Sequence, residues 1–402
     1  MWQQRTIPGP VYFGVVDLGA TTLRVLVIEA GPGGAKVWGW AEVPGFGTSQ
    51  PTAADLADVC REGLSEAEGM AQDLSQRWIL PDRLVVGLPA SQLIGRAWPI
   101  TQQRSRPEGP VEERELEALL ARGLRLAINR LQAIAADSGP WLLVDAAAVA
   151  LSVDGRGVTD PVGFRGQELG TSVFASLAAA EVVANWRAVA ETLDFAELIL
   201  ATTPLALAAG PPAAQGLLVD VGGEFTHLTW FRGARPRRLA SLPAGGGDVT
   251  RSLLRKWPIS LDRAEQLKRA YAGGQLADDA RTQVQEVLLP VVGSWLNQME
   301  AAMEQMNEEE ALPQKIYLMG GASHLPEIAE SMRALAWSQR LQFERYPEMR
   351  TFRPTDVPGV VNRTELGRNR GSVAALALAA WTARQQQAID RPTRILTRLC
   401  QE

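Results

Sequence analysis

Residues 217–229 read LLVDVGGEFTHLT: an apolar run closed by Asp220, Gly222 and Gly223, then a second apolar run that continues as TWFRGARPRRLASLPAGGG to Gly247. Three consecutive apolar positions followed by an acid and two glycines have the pattern of a buried strand entering a tight turn. A second copy of this pattern stands near the start. VYFGVVDLGATTLRVLVIEAG, from Val11, carries Asp17 and Gly19 in its first turn and runs on through AKVWGWAEVPG, so that 11–43 and 216–243 each read as three successive strands. Two units about two hundred residues apart indicate a duplicated domain, whereas a solenoid would repeat at a short period.

Backbone N–H groups bind phosphate, and glycine lets the chain approach without a side chain in the way. A carboxylate in such a turn would repel phosphate unless it holds a divalent cation through water. Asp17 and Asp220 therefore suit a Mg-nucleotide clamped between two hairpins, with hydroxyls from Thr21 and Thr22. A single Asp-x-Gly turn is more often only a tight turn. Here there are two, together with a strand that runs into Gly320, Gly321 and a helix in KIYLMGGASHLPEIAESM.

The rest of the chain sets the frame. At 402 residues more than one domain is expected. Forty Lys and Arg against 45 Asp and Glu give a net charge of -5, which provides no basis for nucleic-acid binding. Two distant cysteines and two histidines exclude a disulfide framework or a His/Cys metal cluster and fit a cytoplasmic setting. The opening MWQQRTIPGP lacks the build of a signal peptide, and no apolar run reaches eighteen residues; GSVAALALAAWTA comes nearest. After the first three strands, TAADLADVCREGLSEAEGMAQDL has helical spacing and DRLVVGLPA is a strand. From about residue 89 to 171 the texture turns polar, then helical, then to short alternating strands, as in a small inserted domain.

These residues resemble the actin-like ATPases: VDLGATT is similar to their first phosphate motif, VDVGGEFTHLTWF to the second and IYLMGGASHLP to the adenosine motif. Within that superfamily the chain resembles the FtsA family of bacterial cell-division proteins over about residues 11–385. WGWAEVPGFG, EGLSEAEGMA, VTDPVGFRGQELGTSVFASLAAAEVVANW and SLPAGGGDVTRSLLRKWPISLDRAEQLKRAYAG carry the likeness. The implied fold class is α/β, actin-like, with duplicated ribonuclease-H-like domains and an FtsA-type inserted 1C domain. Its implied parts are subdomain 1A at 11–88, 1C at 89–171, the return to 1A at 172–197, 2A at 198–250, 2B at 251–315, 2A again at 316–385, and a linker and tail at 386–402.

The resemblance implies ATP and Mg as cofactors. Asp17, Gly19, Ala20, Thr21 and Thr22 would line the first phosphate loop, and Asp220, Gly222, Gly223 and Glu224 the second. Gly245, Gly246 and Gly247 would pass near phosphate or ribose, Glu265 and Lys268 would reach ribose and base, and Gly320, Gly321 and Ala322 would underlie the adenosine. Asp17 and Asp220 would hold the metal through water. Taken alone, Glu265 and Lys268, three apart on a helix, also read as a surface ion pair.

Three departures from the family pattern stand out. Glu224, Phe225 and His227 replace small or polar residues in the second loop. Arg24 stands where the related PilM family of pilus proteins tends to have lysine, and Glu224 also resembles that family. In ATTPLALAAG, Thr203 occupies the place of a water-positioning glutamate, and a hydroxyl is a poor base near neutral pH, so weak or absent hydrolysis is expected.

An FtsA-like protein implies self-assembly into protofilaments, an FtsZ-type tubulin homologue as partner, and a peripheral site on the cytoplasmic face of the membrane at the division septum. In RPTRILTRLCQE, Ile395, Leu396 and Leu399 fall on one helical face and Arg394 and Arg398 on another, as an interfacial helix requires. A tail that docks on its own protein would look the same. The alternatives are a PilM-like platform of a type IV pilus system, needing no lipid, and a small-molecule kinase of the same superfold.

Overall fold

The computed structural model describes residues 11–136, 139–307, 310–334, 336–387 and 390–401. The opening decapeptide, on which the expectation about a leader falls, lies outside the described residues, as do Ala388 and Ile389 of the linker.

Two mixed sheets carry the fold. In the first, β1 (Val11–Leu18), β2 (Thr22–Gly31) and β3 (Gly34–Pro44) form an antiparallel meander. On the other side of β1 lie β4 (Arg83–Leu88) and β9 (Glu197–Thr202), both parallel to it. The second sheet repeats the plan. There β10 (Gln215–Val221), β11 (Thr226–Arg232) and β12 (Arg235–Leu242) form the meander, and β13 (Lys315–Met319) and β14 (Glu348–Thr351) run parallel to β10. Both sheets therefore have the order third, second, first, fourth, fifth, with the acid-bearing turn between first and second strands. A short β15 (Val360–Asn362) extends the first sheet beside β3. This is the duplicated α/β architecture of the actin-like fold.

Helices cover the faces. The helix α1 (Ala53–Ser75) starts at a capping box, in which the Asp55 amide donates to Thr52 Oγ1 at 3.2 Å and the Thr52 amide to Asp55 Oδ2 at 2.9 Å. It buries Leu56, Cys60 and Leu64 with Val16, Val25 and Val86, and α3 (Ala180–Thr192) adds Val183 and Trp186 to the same core. The apolar α9 (Val373–Gln385) fills the space between the two sheets, packing with Phe13, Leu218, Phe231 and Met319. That contact explains why GSVAALALAAWTA is apolar all round without being a membrane span; among the described residues no helix is long and apolar enough to cross a membrane. The outer helices α5 (Gly246–Lys256), α6 (Leu261–Ala272), α7 (Asp278–Asn307) and α8 (Pro326–Ala334) pack around Trp230, Trp295 and Met299 on the second sheet.

Between β4 and α3 the chain builds a lobe from β5 (Leu93–Gln103), α2 (Glu113–Ile134), β6 (Trp141–Val153), β7 (Arg156–Gly157) and β8 (Glu168–Ala179). The expected boundary at residue 171 differs from what is found. Instead of several short strands there are three long ones, β5, β6 and β8, and β8 runs through 171 because Ser172–Ala178 pair with Leu93–Pro99 of β5. The lobe's sheet also joins the second domain through one pair, Arg238 with Arg96, so the insertion bridges both halves.

The tail forms α10 (Arg391–Gln401), and it docks on this lobe. Ile395 and Leu396, 1% and 0% exposed, are buried among Trp98, Leu120, Leu124 and Leu177, with Leu399 half-buried beside them. Arg394 pairs with Glu113 of α2 at 3.4 Å and Arg398 with Glu117 at 2.7 Å. This corrects the lipid-facing assignment of Ile395, Leu396, Leu399, Arg394 and Arg398: the acidic face of α2 and the apolar face of β6 already satisfy both sides of the helix.

Candidate nucleotide site

A cavity of about 1000 Å³ opens between the two sheets, lined by both hairpin turns, the start of α5, α6 and the glycine turn after β13. The first turn is drawn tight, with the Gly19 amide donating to the Asp17 carbonyl at 3.1 Å. Asp17 and Asp220 end their strands at the mouth of the turns and both line the cavity. Burial pushes the Asp17 carboxyl up to about 6, against the opposing effect of Arg24, whose Nη1 stands 3.6 Å away. Asp220 is pushed up to about 7 by burial and then by the charge of Asp17, with Arg24 again opposing. Arg24 also reaches Glu42 at 3.2 Å, so one guanidinium spans two carboxylates on the cavity wall.

The two turns are built alike in a way that the motif reading missed. After β12, the amides of Gly246 and Gly247 donate to the carbonyls of Gly222 and Gly223 at 2.9 and 2.7 Å. After β3, the amides of Gly45 and Gly47 donate to the carbonyls of Thr21 and Ala20 at 3.0 and 2.7 Å. The approach is so close that a Cβ on Gly45 or Gly245 would sit 2.3 or 2.5 Å from a carbonyl oxygen of the neighbouring turn. PGFG at 44–47 and PAGGG at 243–247 carry this signal; only the second was recognised in the sequence.

Three of the expected residues stand outside the cavity lining. Gly245 and Gly247 do not line the cavity, because they stand behind the second turn and brace it. Glu224 is turned away as well: its Oε2 accepts from Arg251 at 2.7 Å, and the same guanidinium holds Asp248 at 2.7 Å. Gly19, Ala20, Thr21, Thr22, Gly222, Gly223, Gly246, Glu265, Lys268, Gly320, Gly321, Ala322 and Thr203 do line it.

Glu265 and Lys268 are more than a surface pair. Lys268 Nζ donates to Glu265 at 2.7 Å, to Thr250 Oγ1 at 2.8 Å and to the Gly246 carbonyl at 3.1 Å, and Thr250 also bonds Glu265. Burial pushes Glu265 up, but Lys268 and the hydrogen bonds outweigh it and hold the carboxyl below its usual range. Burial lowers Lys268. The cluster ties α6 to the start of α5, beside the second hairpin turn.

On the opposite wall Gly320 adopts φ 90°, where a Cβ would stand 2.3 Å from Asp220 Oδ1. Its turn is fastened by Arg370, whose amide donates to His324 Nε2 at 3.3 Å and whose Nη1 donates to the Ser323 carbonyl at 2.7 Å. That anchor brings Asn369 and Gly371 into the cavity wall, residues with no motif of their own in the sequence.

The departures noted above also meet here. Phe225 and His227 stack with ring centroids 6.1 Å apart and line the cavity. Burial lowers His227 to about 4, so its ring is neutral at pH 7, with Nδ1 3.1 Å from Ser241 Oγ. Thr203, at the first position of α4 (Thr203–Ala208), is buried with its hydroxyl unpartnered among the described residues. An unpaired hydroxyl on a cavity wall suits a bound water or ligand atom.

The arrangement fits a nucleotide with a metal held through water. Glycine turns present backbone, two facing carboxylates offer oxygen ligands, and Arg24 adds a cation. Among the described residues no group of three or more His, Cys, Asp or Glu is arranged to hold a metal ion. A magnesium ion at Asp17 and Asp220 would draw its other ligands from water and phosphate, as it does in many nucleotide sites.

No family model and no curated protein matches the chain. Among solved structures, a chain of the PilM-PilN type IV pilus biogenesis complex superposes with TM-score 0.61 and 20% identity, covering 92% of this chain and 97% of its own. The ethanolamine utilization protein EutJ from Carboxydothermus hydrogenoformans follows with 14% identity, 94% and 92% coverage and TM-score 0.45. A chain of the MamK double helical filament has 12% identity, 94% and 99% coverage and TM-score 0.45. At these identities the likeness concerns architecture. The chain has the actin-like ATPase fold over nearly its whole length.

Proposed function

We propose that this protein is an ATP-binding, actin-fold assembly platform of the PilM kind. The observation that carries the nucleotide reading is the cavity itself: two braced glycine turns with Asp17 and Asp220 both lining it, near enough for the charge of one to raise the other. Amides and hydroxyls of residues 19–22 and 222–223 would hold the phosphates. The water shell of a magnesium ion would rest on the two carboxylates, and the ion would neutralise phosphate charge there. Glu265 and Lys268 would take the ribose, and Gly320, Gly321 and Ala322 would underlie the base. Arg24 would turn from Asp17 toward phosphate once the metal satisfies the carboxylate.

Thr203 stands where hydrolysis would need a base, and His227 is neutral and stacked on Phe225. ATP is therefore a conformational ligand that favours one closed state by binding it more tightly. Titration of the protein with ATP and Mg by calorimetry tests this, and a turnover assay tests the silence of the site. Rapid hydrolysis that survives Thr203→Ala would refute it.

Two observations favour the pilus-type platform over the cell-division reading. The PilM-PilN complex chain matches over 92% of this chain. The helix that would anchor a division protein to lipid is packed on its own lobe. The cavity continues past the phosphate turns along Phe46, Gln92, Asn185 and Trp186, between the first domain and the inserted lobe, where a short partner segment would lie. Binding of an FtsZ-type partner or pelleting with anionic vesicles would instead restore the division reading. Protofilament assembly belongs to either reading and is read out by sedimentation with ATP.

A further inference from the structure

The inserted lobe reaches the nucleotide cavity through a buried polar joint. Asp145 lies on β6 where the register with β8 shifts. Its carboxylate accepts the Ala146 amide at 2.9 Å and the amide of Thr202, while its second oxygen is buried without a partner among the described residues. Ser176 of β8 completes the joint, its hydroxyl 2.7 Å from Thr202 Oγ1 and 3.4 Å from the Asp145 carbonyl. Thr202 ends β9 and begins α4 without capping it by its own side chain. Asp145, from another lobe, fixes that strand end, and the next residue is Thr203 on the cavity wall.

The tail helix packs close to Asp145. Cys400 of α10 is near enough to feel its charge. Arg235 of β12 is the cation whose charge bears on Asp145. That guanidinium is engaged at the start of α10, donating to Thr393 Oγ1 at 3.0 Å and to Asp390 at 3.3 Å, and Arg384 of α9 is near enough for the two charges to repel.

We propose that α10 is a removable strap that sets nucleotide affinity. Docked, it occupies Arg235 through Asp390 and Thr393 and leaves Asp145 on Thr202. Released, it frees Arg235 to take the Asp145 carboxylate, which lets go of Thr202 and loosens α4 and Thr203 at the phosphate end. The inference rests on the nucleotide reading above, and the link is a contiguous set of contacts with two possible pairings for one arginine.

The test uses the full chain and ATP with Mg, by calorimetry and by hydrogen exchange of the α10 amides. Leu396→Asp places a charge in the apolar seat of α10; it should speed exchange in α10 and weaken ATP by at least about fivefold, the low end of ordinary coupling. Adding Arg235→Met to that variant should restore the affinity, which a general loosening of the fold would not do. By reciprocity, ATP should slow α10 exchange in the wild type by the same factor. A released α10 with ATP affinity unchanged within about twofold overturns the strap. If Leu396→Asp fails to fold, wild-type α10 exchange that is indifferent to saturating ATP overturns it equally. A wild type that binds no ATP at all is a different result, one that removes the nucleotide reading itself.

Discussion

Thr21 of the first hairpin turn lies directly against Gly223 of the second: a Cβ on the glycine would stand 2.3 Å from Thr21 Cγ2 and 3.1 Å from its Cβ. The two halves of the duplicated fold therefore meet at the position where a triphosphate would pass between them. Gly223→Ala should force the turns apart, because Thr21 is β-branched and has few rotamers to escape into. The expected result is a weakening of ATP binding of tenfold or more, on the order of the 1 to 3 kcal/mol that overpacking costs. Thr21→Gly in the same chain should restore part of it, measured by titration of each variant.

The raised carboxyls give a signed pH dependence. Asp17 and Asp220, at about 6 and about 7, keep protons in the folded state that the unfolded chain releases near its ordinary carboxylate value. Their contribution to stability is fully present below about pH 4 and is lost as pH rises through 6 and 7. Between pH 5 and 8 the thermal midpoint of the ligand-free protein should therefore fall more steeply in the wild type than in Asp220→Asn. Equal slopes would show that the carboxylates are already ionised. Magnesium with ATP should reverse the trend, since the metal favours the ionised pair.

Lys268 holds three acceptors at once, the Gly246 carbonyl, Thr250 and Glu265. Lys268→Met leaves Glu265 beside Thr250 without its cation. A loss of roughly 1.5 to 3 kcal/mol in stability is expected from charge-assisted hydrogen bonds of this kind, together with weaker ATP binding. Denaturant unfolding of the variant checks the first part and calorimetry the second. A variant as stable as the wild type would mean that the cluster is a loose surface pair after all.

The docked tail makes a prediction about lipid. Ile395 and Leu396 are buried in the inserted lobe, so the wild type should not pellet with anionic vesicles at physiological salt. Leu396→Ala should cost about 2 to 5 kcal/mol if the lobe cannot collapse around the gap, and less if α10 frays. Robust pelleting of the wild type would show that the helix leaves its seat for a membrane.

The repeated strands and the glycine turns were legible because they obey local rules: a buried strand, an acid, then glycine. Arg24, Phe225 and His227 were visible as oddities, and all three prove to line the cavity. What could not be read was which member of a motif faces inward. Glu224 looks like a loop residue in sequence, but Arg251, 27 positions later, claims it. Gly247 serves the back of the turn because its amide bonds the carbonyl of Gly223, 24 residues away, and Gly245 because it packs against the same carbonyl. The tail is the clearest case. An amphipathic pattern records that one face of a helix must be covered and says nothing of by what; here Glu113, Glu117 and the apolar face of β6 supply the answer.

Calorimetric titration with ATP and Mg of the wild type and of Asp220→Ala is the most direct test of the central claim. The account expects saturable binding by the wild type that weakens at least about tenfold without the carboxylate, a loss of roughly 1.4 kcal/mol or more. No heat at millimolar ATP, or equal affinity in both proteins, would contradict it and leave the cavity as the relic of a nucleotide site.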